Sequence, residues 1–537
     1  MTVRCAWGPT RRGAYFGWVV LVVPLALVAW FPSDVVGALI TASVGAVLAT
    51  AWAGLARSGL VSFGMAAPFG TGAYAAGLLL ARGANALWVA PAAGAAGILC
   101  SLVLALGTRW RRLPLAAFAV LTFAWAEVLH TAALNLSFAG GPSGVLLPYL
   151  PGARPAALLG LGGALLASLA LALASGPRLR PLLAAVASDP ARAEALGLAA
   201  SLVKEVALAA SGLAAGLAGA LSTWSVGFVE PGSAFSPLLS ALAMAAAVGG
   251  AGPPWGPAAL ALSFSFVDQL YLAPRAPALH GLAVTGLLVI VLGARRLRAL
   301  PEPGTAWRRS SRLGPRAQPR RPWPDERGVL LEVRDVQVVR NGISALARAS
   351  LEVSAGEVLG LAGPNGSGKT TLLDAVSGLV CYQGRILLAG RPIDRLTPHA
   401  RARLGIARAF QIPRPIPGLT GYELLGLGLR HRALPLPGAV SDAPWLALDR
   451  WGSRPSTACT PSELRRTELA RAIASGPRVL LLDEPAAGLA PSLLPELALS
   501  IRQAAASGAG VVLVEHTPSL MLQVASRIVR LREGRVA

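Results

Sequence analysis

The sequence predicts two fold classes on one chain: an N-terminal all-α polytopic membrane domain of about ten spans, and a C-terminal α/β P-loop domain. Three observations predict them. Hydrophobic residues make up 54% of the 537 and charged residues only 14%, with a mean hydropathy of +0.58, outside the range of water-soluble globular chains. Apolar runs recur through the first 300 residues and then stop. Further on, an apolar run, a glycine-rich loop (Gly363 to Thr370, GPNGSGKT) and a second apolar run follow one another. The expected boundaries are 1–300 for the membrane domain, 301–327 for a linker and 328–537 for the P-loop domain.

The apolar runs fall at 15–31, 35–56, 65–81, 87–107, 113–133, 156–175, 206–224, 236–251, 255–272 and 279–294. Several are shorter than the ~20 residues that span hydrocarbon. The first follows Arg11-Arg12 and has no small-residue cleavage site after it, so it reads as a retained helix rather than a signal peptide. With the N-terminus inside, thirteen arginines fall on the inner side and only Arg82, Arg154 and Arg275 on the outer side. That satisfies the positive-inside rule, and an even number of spans returns the chain to the cytoplasm.

Gly212, Gly216 and Gly219 recur at helical spacing and read as close helix packing rather than substrate contact. Gly59 to Tyr74 interrupts an apolar segment with glycines and Pro68, predicting a broken or re-entrant helix. Glu127 and His130, at i and i+3, share a helix face within a span; they read either as functional groups or as residues near the outer interface. In the inner loop 176–203, Asp189-Pro190 predicts an N-cap and first turn, and Gly197 the end of a short helix, a candidate mechanical contact with the nucleotide domain.

From Arg295 to Arg327 the chain holds ten Arg and six Pro and cannot bury a core. This stretch reads as a basic tether on anionic membrane lipid. The net charge of +22 comes without an aromatic-interleaved basic patch or a groove-reading motif, so the sequence implies no nucleic acid partner. Cys5, Cys100, Cys381 and Cys459 are scattered without metal spacing.

In the P-loop domain, strand, glycine loop and helix succeed one another from Glu357 to Val376. Gly363, Gly366 and Gly368 let backbone N–H groups converge on phosphate oxygens, with Pro364, Asn365, Ser367 and Thr371 completing the loop and the helix start. The helix dipole adds to the attraction for phosphate. Lys369 would reach the β- and γ-phosphates of ATP, and the Thr370 hydroxyl would meet Mg²⁺. Only two lysines occur in the chain, Lys204 and Lys369, so a compact ammonium is kept where a guanidinium would not fit.

Further motifs resemble those of the ATP-binding-cassette (ABC) ATPases: Val479-Leu-Leu-Leu-Asp-Glu-Pro485, Ala409-Phe-Gln-Ile-Pro413 and Val511-Val-Leu-Val-Glu-His516. The resemblance implies that Asp483 helps hold Mg²⁺ and Glu484 polarises the attacking water. It also implies that Gln411 senses the γ-phosphate and meets the metal, and that His516 contacts the γ-phosphate. Arg408-Ala-Phe-Gln, Leu482-Asp-Glu-Pro-Ala-Ala-Gly-Leu489 and Val514-Glu-His resemble the ATPase of branched-chain amino acid importers. Ser62 to Tyr74, Glu194 to Leu198 and Ser211 to Ala220 resemble the permease of the same systems. The family implies an ATP-hydrolysing importer in the cell (inner) membrane, its ATPase cytoplasmic. Two permease and two ATPase domains, from further subunits or a second copy, would be fed by an extracytoplasmic substrate-binding protein. Importers of urea or short-chain amides have similar permeases.

Departures from the family's pattern are local. Cys459-Thr-Pro-Ser-Glu463 stands where the signature loop belongs, with Pro461 and Ser462 in place of glycines, which would weaken this chain's contribution to a partner's ATP site. A catalytically weakened regulatory or assembly subunit is the reading these changes favour. Arg340 takes the place of the adenine-stacking aromatic, and its planar guanidinium could stack instead. Ala490 replaces the usual Asp or Asn, and the segment 425–458 looks shortened.

Overall fold

The computed structural model describes residues 11–110, 115–147, 152–176, 179–275, 282–283, 286–287, 290, 328–340, 343–428, 448–516 and 518–536. The expected linker, 301–327, lies outside them. The chain divides into two units, Met1–Leu183 with Ser201–Ala306, and Ala184–Ala200 with Trp307–Ala537.

The first unit is helical: α1 Arg11–Leu27, α2 Ser33–Arg57, α3 Ala66–Ala81, α4 Ala86–Trp110, α5 Leu115–Asn135, α6 Ala153–Ala174, then, after the inner loop, α9 Ala200–Val226, α10 Pro231–Ala234, α11 Pro237–Gly249 and α12 Gly256–Val267. Its α2 is central, buried along most of its length, with α6, α11 and α12 packed around it. Two short strands, β1 Val145–Leu146 and β2 Phe228–Val229, pair antiparallel between helices.

The expectation of ten spans is not met among the described residues. Six helices are long and apolar enough to cross a membrane, and Trp18–Trp30 and Ala66–Ala81 are shorter apolar helices. Three of the other runs are short or irregular helices, so the ten are not confirmed. Pro24 lies inside α1, which ends in the 3₁₀ turn Val28–Trp30. The run 65–81 yields the sixteen-residue helix α3, as long as the run allows and shorter than a full span. The run 255–272 leaves α-geometry at Asp268, where a π turn runs to Leu272. The tenth run, 279–294, falls mostly outside the described residues.

The break at 58–65 is as expected, and side chains satisfy its free backbone groups. Trp52 Nε1 donates to Ser62 O at 2.7 Å, the Phe63 N–H donates to Thr122 Oγ1 at 3.0 Å, and the Ala66 N–H donates to Ser240 Oγ at 3.1 Å. Irregular backbone is thereby held inside protein, the condition under which it is tolerated at membrane depth.

The glycines of α9 do pack helices. A Cβ at Gly216 would lie 2.4 Å from Ala93 O on α4, one at Gly212 2.4 Å from Gly97 O, and one at Gly219 2.1 Å from Phe69 O on α3. Backbone meets backbone along this seam, with no room for a side chain. On α5 the His130 Nδ1 and Glu127 Oε2 lie 3.6 Å apart, both partly exposed.

The second unit takes in α7 Arg180–Ser188 from Ala184 onward, α8 Pro190–Ala195, and an α/β domain. Strands β3 Val329–Arg340, β4 Ile343–Ser354, β6 Gln383–Leu388 and β7 Arg391–Pro392 form one antiparallel sheet, order β4-β3-β6-β7. A second sheet, order β12-β11-β5-β10-β9-β8, contains β5 Val358–Ala362, β8 Ile406–Ala409, β9 Val479–Asp483, β10 Gly510–Val514, β11 Arg527–Arg532 and β12 Arg535–Val536. Its strands run parallel except β12. Helices α13 Lys369–Ser377, α14 Pro398–Arg403, α15 Gly421–Gly428, α16 Pro461–Ala474, α17 Leu494–Ala506 and α18 Pro518–Val524 belong to the same domain, with a single helical turn at Leu448–Trp451. The fully buried runs of β5, β9 and β10 give the central strands two covered faces, as a parallel sheet requires.

Candidate nucleotide site

The three central strands β5, β10 and β9 lie side by side, so the loops leaving their C-terminal ends open onto one edge. The glycine loop leaves β5, Glu484 follows β9, and Glu515-His516 follow β10. Strand order therefore assembles residues more than a hundred positions apart.

The loop residues sit as the motif predicts. Gly363, Gly366 and Gly368 have φ of 156°, 79° and 102°. A Cβ at Gly368 would lie 2.5 Å from Ala345 O, and one at Gly363 2.3 Å from Leu531 O. Pro364, Asn365 and Gly366 are exposed, whereas Ser367 is buried and its hydroxyl has no hydrogen-bond partner among the described residues. A buried unpaired hydroxyl inside a glycine cradle fits a bound phosphate.

Lys369 opens α13, is 7% exposed, and donates to Gly363 O at 2.7 Å and Pro364 O at 2.8 Å. Its ammonium thus lies folded over the loop. Burial lowers its pKa, and the nearby Glu484 and Asp483 carboxylates partly oppose that. Replacing Lys369 with alanine is expected to weaken ATP binding about tenfold or more, since a charge-assisted contact contributes ~1.5–3 kcal/mol; titration with a fluorescent nucleotide measures it.

Thr370 is exposed, and its Oγ1 lies 3.5 Å from Asp483 Oδ1; Thr371 is half-buried one position on. Burial raises the Asp483 pKa, with Arg408 opposing. Among the described residues no cluster of three His, Cys, Asp or Glu could hold a metal. One hydroxyl and one carboxylate fit Mg²⁺, which keeps waters and takes phosphate oxygens as its other ligands.

Glu484 sits at φ 49°, left-handed backbone rarely adopted by a non-glycine residue, and its N–H donates to Val514 O at 2.8 Å. The kink separates two adjacent carboxylates. Asp483 faces Thr370 and Arg408, while Glu484 Oε1 lies 3.4 Å from His516 Nε2.

Gln411 and Arg340 are not brought into this cluster. The Gln411 side-chain amide makes no hydrogen bond to Thr370 or Asp483 among the described residues; its backbone carbonyl accepts from Arg465. Arg340 is exposed at the end of β3, paired with Ile343 on the hairpin that brings Ala345 against Gly368.

Two charged residues without a sequence-assigned role have one here. Glu515 is buried, accepting from the Ala486 N–H at 3.0 Å and the His516 N–H at 2.8 Å, so it joins the segments after β9 and β10. Arg408, 3% exposed, joins Asp374 to Asp483. The available signal was a charge at the end of a buried strand, whose pairing partners lie far away in sequence.

The signature segment forms a capping box: Thr460 caps α16, the Glu463 N–H donates to Thr460 Oγ1 at 3.3 Å, and the Thr460 N–H donates to Glu463 Oε2 at 2.8 Å. Pro461 falls at the first helical position, where its missing N–H breaks no intrahelical bond. Burial acts against the Glu463 charge, but the Thr460 N–H and hydroxyl and Arg454 outweigh it and hold the carboxyl below its usual range.

The segment 184–200 rests against this domain within the second unit. Asp189 caps α8, accepting from the Arg192 N–H at 3.1 Å, and Gly197 follows the helix at φ 82°. A cavity is lined by Asp189, Arg192 and Leu196 of the segment and by Phe410, Leu424 and Leu464 of the domain. Arg192 donates to Ile412 O, Arg403 Nε donates to Gly197 O at 3.0 Å, and Arg414 lies 3.7 Å from Asp189.

Residues 346–487 match the family described as ABC transporter, and residues 34–292 the family described as branched-chain amino acid transport system / permease component. A probable ABC transporter ATP-binding protein of Azorhizobium caulinodans is 34% identical over 203 residues, 36% of this chain and 71% of that protein. The high-affinity branched-chain amino acid transport ATP-binding protein BraF of Pseudomonas aeruginosa is 33% identical over 229 residues, 38% and 89%. The zinc import ATP-binding protein ZnuC of Alkalilimnicola ehrlichii is 35% identical over 210 residues, 38% and 76%.

Proposed function

Since this chain belongs to the ABC transporters, joining a branched-chain amino acid type of permease domain to an ATP-binding domain, we propose that it imports branched-chain or related amino acids across the cell membrane. The ATPase hydrolyses ATP to drive transport. The observation that carries the substrate class is the permease match over 34–292, because BraF and ZnuC are comparably similar in the ATPase while their names differ in cargo. The membrane is the inner one, with the ATPase on the cytoplasmic side where the arginine-rich loops fall.

In this reading Lys369 and the loop N–H groups would hold the phosphates, and Thr370 and Asp483 would hold Mg²⁺, which would supply positive charge against the phosphoryl oxygens. Glu484 accepts hydrogen bonding from the attacking water, and His516, 3.4 Å away, orients that carboxylate and reaches the γ-phosphate. Gln411 would join at the metal, and Arg340 against the base, only once nucleotide is bound. Closure needs a second ATPase domain, and loading needs an extracytoplasmic binding protein. The α8 segment carries the motion to the spans.

Uptake tests the substrate class: deletion should abolish entry of labelled leucine and spare urea. Loss of urea uptake alone would transfer the chain to the amide importers.

A second reading, a catalytically weakened regulatory subunit, is favoured by Pro461 and Ser462. Hydrolysis stimulated by a binding protein in reconstituted membranes would exclude it. Restoring glycine with Ser462→Gly is expected to raise turnover or leave it unchanged, measured by phosphate release. A large loss would show that the loop is adapted to serine.

A further inference from the structure

We infer that Arg408 is a positioning residue that competes with the divalent cation for Asp483, and that Phe410 ties its placement to Arg192 on α8. The inference rests on the reading of Asp483 and Thr370 as the metal's protein ligands.

The guanidinium of Arg408 is divided unequally between two carboxylates. Its Nη1 lies 2.5 Å from Asp374 Oδ1 on α13, and its Nη2 lies 3.5 Å from Asp483 Oδ2, while its Nε has no hydrogen-bond partner among the described residues. Arg408 and Asp483 are both buried, so their attraction is little screened. A divalent cation at Asp483 and Thr370 brings like charge toward Arg408. The guanidinium then has Asp374 to retreat to, and the long contact is the one given up. Metal and Arg408 therefore oppose each other at Asp483, with Asp374 setting the balance.

Phe410 links this balance to α8. The Arg408 Cζ lies 4.9 Å from the Phe410 ring centroid, and the Arg192 Cζ lies 4.9 Å from the same centroid. The backbone at Phe410 is clamped: its carbonyl accepts from Arg465 Nη1 at 2.9 Å, and its N–H points to Glu468 Oε1 at 3.5 Å. Arg471 holds that glutamate at 2.8 Å and also donates to Arg408 O at 2.8 Å. With the backbone fixed, side-chain rotation of Phe410 is what one guanidinium can pass to the other. Coupling between two sites is reciprocal, so removing Arg192 must be felt at the metal.

Mn²⁺ binding to the purified full chain in nanodiscs with ADP, followed by electron paramagnetic resonance, gives a readout independent of turnover. Arg408→Gln is expected to tighten Mn²⁺ binding about three- to tenfold, and Asp374→Asn to weaken it by a similar factor. Arg192→Ala should tighten it about two- to fivefold in the parent chain and have no effect in the Phe410→Leu background. Weaker or unchanged binding in folded Arg408→Gln, or an unchanged affinity in Arg192→Ala, overturns the proposal. Should Arg408→Gln not fold, the Arg192 and Phe410 pair decides alone. Retained Mn²⁺ binding in Asp483→Ala would instead overturn the metal-site reading.

Discussion

Glu484→Gln is expected to reduce steady-state ATP turnover about a hundredfold to ten-thousandfold, the usual contribution of a positioned general base, while ATP binding stays intact. The reason lies in the backbone as much as in the side chain. The left-handed turn at Glu484 parts its carboxylate from that of Asp483, so the exchange removes one charge beside His516 and leaves the Thr370–Asp483 pair in place. Glutamine keeps the size of the original residue and one acceptor oxygen, and puts a neutral NH₂ donor in place of the other. Retention of radiolabelled ATP after gel filtration, together with phosphate release over many cycles, checks both halves. Multiple-turnover hydrolysis persisting in the variant would remove Glu484 from the chemistry.

Gly216→Leu is expected to prevent the membrane unit from packing at all. A Cβ at Gly216 would meet Ala93 O at 2.4 Å, and one at the facing Gly72 would meet Gly216 Cα at 2.4 Å, so three helices converge on one residue without a side chain. The obstructing atoms are backbone and cannot rotate away. Overpacking costs about 1–3 kcal/mol where side chains can yield, and more is expected where none can. Gly162→Leu on α6 is the control, since a Cβ there would find nothing within 4 Å. Detergent-solubilised protein run on size exclusion should show a folded peak for the control and aggregate for Gly216→Leu. Equal peaks would refute the packing account.

The two domains were legible in the sequence to different depths. The phosphate loop could be read residue by residue because its chemistry is local: glycines, lysine and threonine act within eight positions. Asp483 and Glu484 were legible as a pair at the end of an apolar run, though the turn that separates their carboxylates was not. Arg408, Asp374 and Glu515 were not assigned roles, because each acts through a partner brought close only by strand order. In the membrane unit the glycine seam was visible from spacing. The break before Ala66 was legible from the glycines and Pro68 of Gly59 to Tyr74, whereas the π turn at Asp268 was not, since composition registers apolar length and not helix type. The short α8 helix was legible from Asp189-Pro190 and Gly197, whereas its contacts with Arg403, Ile412 and Arg414 needed the fold.

The contact of α8 with Arg403, Ile412 and Arg414 has a stoichiometric consequence. Where permease and ATPase are separate polypeptides, the docking affinity must suffice at the concentrations the cell happens to produce. Here both sides are covalently one molecule, so the effective concentration is fixed, on the millimolar scale typical of short tethers, and does not vary with expression. A docking interaction too weak to survive dilution would still be saturated. The contacts of Asp189 with Arg414 and of Arg192 with the Ile412 carbonyl can thus be weak and exchangeable without the two sides separating.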